Sequence, residues 1–341
     1  MIAVSGTGTW PGSEVLEAQS VVVGDLTDTP AEVEGLPFAV HLPARGPGAT
    51  LVGRSLAMLV DLAAELGPHG WKLSDRPGGD VTRARSLLRE DLDALAVACH
   101  GYAGPLVVPV LGPVSLAAGV YLARGDRALA DAGAVRELAD SLAEGVGEHL
   151  AAVRRAAPGA VPQVLVHEPL LAQATAGVLP SFSGYARLRA LPGPLAAERV
   201  GAVVTAARGA GASTVVVHGG AAWTTLPAVR ASGADGIALE VAGLDQAAWE
   251  RVAEAVEGGL RLWAHVPPQE SSQCAGPDAV GQARTLTAPW RAVGLPVAGL
   301  DDVVLLAGPV AGEAPAGPDD ARGALAGVVR AGRVVAELVH G

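Results

Sequence analysis

The chain has 341 residues, 50% of them hydrophobic and 17% charged, a mixture that supports a large buried core and excludes a disordered chain. The formal net charge is −11 and no basic block occurs, which argues against nucleic acid and against an anionic membrane as partners. Two cysteines, Cys99 and Cys274, stand without a CxxC pair, so a disulfide framework is excluded and a cysteine-rich zinc site is hard to build. No apolar run reaches the ~18 residues that cross a bilayer, and the start, Met1 to Gly6, lacks the basic and apolar segments of a signal peptide. The expectation is a cytoplasmic protein.

Taken in order, Ile2 to Val4 predicts a short first strand that feeds a glycine loop, Gly6-Thr7-Gly8-Thr9-Trp10-Pro11-Gly12. That loop is not GxGxxG, and no βαβ unit follows at once, so it does not predict a dinucleotide site. Residues 13 to 50 read as irregular, apart from a strand candidate at Phe38 to His41. Leu51 to Leu66 carries apolar residues at helical spacing up to Gly67-Pro68, and Gly70 to Leu73 reads as a short strand or turn. Val81 to Cys99 predicts an amphipathic helix. Strand Leu106 to Leu111 ends at Gly112-Pro113, and Ala128 to Ala157 holds the longest helical pattern.

From residue 160 the alternation becomes regular. Strands at Val164–Val166, Thr214–Val217, Ile237–Leu239, Leu262–Ala264 and Val303–Leu306 are separated by helices at Ala196–Arg208, Leu226–Ser232, Asp245–Val256 and Ala279–Val293. A last helix covers Asp319–Val339, and Asp245 is a plausible N-cap. Uninterrupted apolar strands alternating with helices predict parallel βα units. With the N-terminal candidates about eight strands fit, so the expected fold is α/β, a single-domain (β/α)8 TIM barrel over residues 1–341. An open doubly wound sheet is the alternative.

Polar chemistry gathers where the strands end. Thr214-Val215-Val216-Val217 runs into His218-Gly219-Gly220, Val164-Leu165-Val166 into His167-Glu168-Pro169, Ile237-Ala238-Leu239 into Glu240, and Leu262-Trp263-Ala264 into His265. A lone histidine at a strand end is ordinarily a hydrogen-bonded structural residue. Three of them, with Glu168 and Glu240 at further such ends, point to a site, because parallel α/β sheets build their sites along that edge. Such a set can hold zinc with an open position, or act without metal as a general acid/base group. Trp10 and Trp223 fall in strand-end loops, where a ring either stacks on a flat ligand or packs beneath the loop. Trp249 and Trp290 read as core, Cys99 as structural, and Cys274 as a loop cysteine.

These landmarks together resemble the catalytic, C-terminal half of cobalamin-independent methionine synthase, most of all its single-domain actinobacterial versions. The resemblance runs through Gly8-Thr9-Trp10-Pro11-Gly12, Ala44-Arg45-Gly46-Pro47-Gly48, Gly70-Trp71 with Asp75-Arg76-Pro77-Gly78, and Gly112-Pro113. It continues through His167-Glu168-Pro169, His218, Glu240 and Ala311-Gly312. It implies a (β/α)8 barrel in which zinc activates a thiol, homocysteine, towards a methyl donor. It places His218 and Glu240 as metal ligands, His265 as the catalytic proton shuttle, and Thr9, Trp10, His167 and Glu168 at the substrate.

The departures bear on the chemistry. Both cysteine ligands of the family fall on glycine, at Gly220 and about Gly308, and the family's Asp-Glu-Pro reads His167-Glu168-Pro169. Two expectations follow. One is methyl transfer to a thiol from methylfolate or a methyl-corrinoid carrier protein, weakened or altered by the lost thiolates. The other is a degenerate paralogue that binds a small molecule or catalyses a different reaction without zinc.

Overall fold

A computed structural model describes residues 1–76, 78–267, 278–308 and 317–340. Strand β1 (Ile2–Gly6) is followed by α1 (Val15–Thr27), β2 (Val33–Gly35) and α2 (Leu51–Met58). A hairpin of β3 (Ala63–Gly67) and β4 (Gly70–Ser74) leads into α3 (Gly79–Ala98). Strands and helices then alternate through β5 (Gly104–Leu111), α4 (Pro113–Gly119), α5 (Ala132–Ala156), β6 (Ala160–His167), α6 (Leu171–Ala176) and α7 (Gly193–Gly209). The run continues with β7 (Thr214–His218), α8 (Leu226–Ala231), β8 (Gly236–Glu240), α9 (Gln246–Glu257), β9 (Arg261–His265), α10 (Ala279–Ala292), β10 (Val304–Ala307) and α11 (Pro318–His340).

Eight strands form one sheet in the order β2-β1-β10-β9-β8-β7-β6-β5, and every pairing in it is parallel. Strands β7 and β8 are buried along their whole length, as expected of β-branched and aliphatic runs covered on both faces. Beyond β2 the chain runs on between the two edges. Leu36 N donates to Val4 O on β1, Ala39 N donates to Val107 O on β5 at 2.8 Å, and Val107 N donates to Pro37 O at 2.8 Å. The architecture is α/β with a TIM-type parallel sheet. Trp249, Trp263 and Trp290 are among its largest fully buried side chains, which bears out the reading of Trp249 and Trp290 as core. Among the described residues no helix is long and apolar enough to cross a membrane.

From residue 79 onward the expected strands and helices are present, the short helices α4 and α6 are additional to them, and Asp245 caps α9 by accepting from Ala248 N. Two N-terminal expectations are corrected. Residues 13 to 50 hold α1 and β2. Helix α1 was hidden by its β-branched run Val21-Val22-Val23 and by Glu14, whose side chain makes no cap bond. Its buried face, Ala18, Gln19, Val22, Val23 and Leu26, nevertheless follows helical spacing. The single helix expected over Leu51 to Leu66 stops at Met58. Asp61 takes a left-handed conformation at φ 57°, one that Asp tolerates, and the chain turns into β3. There the antiparallel ladder with β4 prevails over helix propensity.

A buried charge cluster fixes the loop after β2 to the helices behind it. Arg54 of α2 and Arg45 of the loop both donate to the carboxylate of Asp91 on α3, and Arg45 also reaches Glu90. Arg54 and Asp91 are buried. Burial, with the Arg45 charge second, pushes the Arg54 guanidinium down to about 10. Removing the shared carboxylate leaves the Arg54 guanidinium without its ionic partner in a poorly solvated place, while Arg45 keeps only Glu90. Asp91→Ala is therefore expected to destabilise the fold by about 3–5 kcal/mol, measured by urea denaturation. A loss below about 1 kcal/mol, the worth of a surface pair, would contradict this role.

Candidate active site

Because the sheet is parallel, the C-terminal ends of its strands lie along one edge, and the candidate residues sit there. His167 of β6 is in register with His218 of β7, Glu240 of β8 with His265 of β9, and His265 with Leu306 of β10. The β1 loop joins them: Thr7 N donates to Ala307 O at 3.0 Å, and Thr9 bridges His41. Glu168, His218, Glu240 and His265 are all buried, as are Thr7, His41 and His167.

Two main-chain carbonyls set the proton positions. His167 Nε2 lies 2.9 Å from Thr7 O. A carbonyl only accepts, so that nitrogen carries the hydrogen, and a neutral His167 then has a bare Nδ1. His218 Nδ1 stands 3.0 Å from that Nδ1 and so must donate to it. This leaves His218 Nε2 as a lone pair, buried and without a hydrogen-bond partner among the described residues. The same logic holds at His265, whose Nε2 lies 2.8 Å from Gly308 O, leaving Nδ1 bare, buried and unpartnered. The site thus presents two imidazole lone pairs.

Electrostatics keep the rings neutral. Burial, and then the His41 ring, push His167 down to about 3 against the raising effect of the Thr7 carbonyl. Burial, followed by His167 and His265, holds His218 well below its ordinary value. His265 is lowered by burial, while the Gly308 carbonyl and the Glu240 charge pull it back up. Burial, with Arg54 second, pushes His41 down to about 3, and its Nε2 meets Thr9 Oγ1 at 3.0 Å.

Glu168 is placed apart from this cluster. Its carboxylate accepts from Val114 N at 2.9 Å and from Ser115 N and Oγ at 2.7 and 2.6 Å, at the N-terminus of α4. Burial raises it to about 7 against those three donors. Trp10 is buried with its ring against Phe38, the packed arrangement of the two weighed from sequence. Cys99 is buried and its thiol pushed up to about 11 by burial, which bears out its structural reading. Cys274, Pro309 and Ala311-Gly312 lie outside the described residues. Sequence reasoning missed Thr7, His41 and Ser115 as parts of the site. His41 closes a strand candidate just as the chosen histidines do, and that signal could have found it.

The described donors do not assemble as a zinc site. Among the described residues no three His, Cys, Asp or Glu side chains come together as a metal group. The two glycines at which the resemblance expects cysteine do not admit a side chain freely. Gly220 keeps open space but sits at φ 64°, where a side chain is strained. Gly308 sits at φ 143°, and a Cβ there would lie 2.3 Å from Thr7 Oγ1. The carbonyl of Gly308 is instead the acceptor that fixes His265.

A scan of protein-family models finds no match, and no curated protein matches. Among solved structures, a B12-independent methionine synthase from Shewanella sp. W3-18-1 in complex with selenomethionine is similar at TM-score 0.59 and 11% identity, over 98% of each chain. The carboxyl transferase domain of Rhizobium etli pyruvate carboxylase gives TM-score 0.35 and 15% identity, over 99% of this chain and 48% of that one. At such identities the first likeness shows the fold, and function has to be argued from the site.

The buried histidines carry a pH signature. His41 and His167 stay neutral in the fold down to about 3, whereas in the unfolded chain they titrate near 6.5. Their contribution is complete above pH 6.5 and is lost as pH falls from 6.5 towards 3, because only the unfolded chain takes up protons in that window. Glu168, raised from 4.5 to about 7, acts with the opposite sign between those values. His149, also held at about 3, and His218, held well below its ordinary value, act in the same direction, so against one carboxyl the melting temperature is expected to fall on acidification below pH 6.5. His41→Gln, which does not titrate, should shrink that fall. An unchanged profile in this variant would contradict the assignment.

Proposed function

We propose that this chain is a methionine synthase-like enzyme whose eight parallel strands close into a (β/α)8 barrel through the Pro37–Ala39 link to β5. Its strand-end site works on a small molecule by imidazole acid–base chemistry in place of zinc. The observation that carries this reading is the pair of buried lone pairs, His218 Nε2 and His265 Nδ1, left free by the carbonyls of Thr7 and Gly308. The likeness to a methionine synthase over the whole chain supports the substrate class, a thiol such as homocysteine.

In this reading His218 Nε2 takes the thiol proton. The sulfur attacks the donor's methyl group, the new S–C bond takes the methyl, and the electron pair of the broken bond stays with the donor. With methylfolate as donor, the thiol proton taken by His218 passes to the bare Nδ1 of His265 and from there to the released amine nitrogen, so that both rings end neutral. With a methyl-corrinoid carrier protein the electron pair rests on the metal of the carrier. Thr9, held by His41, and the Trp10 loop border the substrate, and Glu168 fixes α4 beside it.

Such a base is poorly matched to its task. A free thiol ionises near ~8.5, and an imidazole held well below its ordinary value takes that proton reluctantly. Thiol methylation by this site is therefore slow. The closure of the Gly308 position against Thr7 favours a second reading, a paralogue that has left zinc chemistry for another reaction or for binding alone.

The untagged protein is expected to carry well under one zinc per chain by elemental analysis, removable by mild chelation. It should methylate homocysteine from methylfolate far more slowly than a relative with intact cysteines, and His218→Ala should remove the residual rate. Stoichiometric zinc that resists chelation, with turnover matching such a relative, would overturn the metal-free reading. Absence of any turnover would favour the paralogue.

A further inference from the structure

Away from the strand ends, α2, α3 and α5 border an open cleft of about 570 Å³, within the range of small-ligand sites. The end of α2 (Ala57, Met58) forms one wall, α3 supplies Arg85 and Arg89 one turn apart, and α5 supplies Glu148, His149 and Arg155. Gly145 makes this approach possible, because a Cβ there would lie 2.0 Å from Met58 O.

Two independent features mark the cleft as a binding site. The first is its charge. None of Arg85, Arg89, Arg155 and Glu148 makes an ion pair among the described residues. Three guanidinium groups and one carboxylate leave two positive charges, 3 − 1 = 2, facing one space in a chain of net charge −11. Arg85 is held in place by donating to Ala57 O and Leu59 O, which leaves further N–H groups for a ligand. The second feature is His149, 6% exposed, whose two ring nitrogens have no partner among the described residues. An unpartnered buried polar group is costly and calls for something to bond to it.

We propose that this cleft binds a small phosphate monoester, its dianionic head between Arg89, Arg155 and Arg85 with the His149 ring as a neutral donor, and its apolar body against Leu88, Leu92 and Met58. The two net positive charges match a phosphate monoester, which carries roughly −1.5 to −2 at pH 7. Guanidinium forks suit its oxygens, and a carboxylate would leave one charge unmatched. The ring of His149 stays neutral because burial, and then the nearby Arg54 charge, push it down to about 3.

The test is calorimetric titration of the full-length protein with phenyl phosphate, benzoate and phenol as three separate probes. Saturable binding of phenyl phosphate is expected, weaker at higher ionic strength, with benzoate and phenol weaker still. The variant Arg89→Ser with Arg155→Ser, two exposed positions whose melting temperature should hold, is expected to weaken phenyl phosphate by roughly tenfold or more. His149→Leu, which keeps both arginines, should weaken it as well. No saturable binding to the wild type would overturn the proposal. Binding unchanged in both variants, or benzoate binding as tightly as phenyl phosphate, would overturn it too.

Discussion

Two backbone carbonyls, Thr7 O and Gly308 O, decide which imidazole nitrogens at the strand ends carry hydrogen. The choice at His167 passes to His218 through the 3.0 Å contact between their Nδ1 atoms. Both carbonyls exist where they do because of the parallel ladder between β1 and β10, which holds the Thr7 loop against the end of β10. The proton arrangement of the site thus follows from sheet register, with the side chains responding to it.

That dependence bears on the two glycines that stand where the resemblance expects cysteine. At Gly308 the missing side chain leaves a close approach: the left-handed backbone brings the residue onto Thr7, and its carbonyl takes over the fixing of His265. A side chain placed there would have to displace the Thr7 hydroxyl, which would lie 2.3 Å from its Cβ. The surroundings of the rings reinforce the change. Burial favours neutral imidazoles at His41, His167 and His218, which leaves them unprotonated but weak as bases.

Much of this was legible in the sequence, and the reasons are specific. The strands that end in His167, His218, Glu240 and His265 close on apolar runs, β-branched in β7 and largely aliphatic or aromatic in β8 and β9, so period and punctuation agreed and the candidate edge could be read directly. The N-terminal third was harder. Val21 to Val23 are poor helix formers, and α1 is stabilised mainly by its packing against α3 and α11. The left-handed Asp61 that ends the turn after α2 has no clear local signal. Within the site, residue types could be read but hydrogen-bond partners could not. That Glu168 turns to the N-terminus of α4 depends on Val114 and Ser115, brought near by the pairing of β5 with β6. That His218 meets His167 depends on register, which no single strand reveals.

The central claim concerns the position of protons, and nitrogen NMR of the histidine rings in the purified protein measures it directly. At pH 7 the account predicts neutral rings with hydrogen on Nε2 of His167 and His265 and on Nδ1 of His218, and with His218 Nε2 and His265 Nδ1 free of both proton and metal. A charged ring at His218, or a metal-bound nitrogen at His218 or His265, would contradict it.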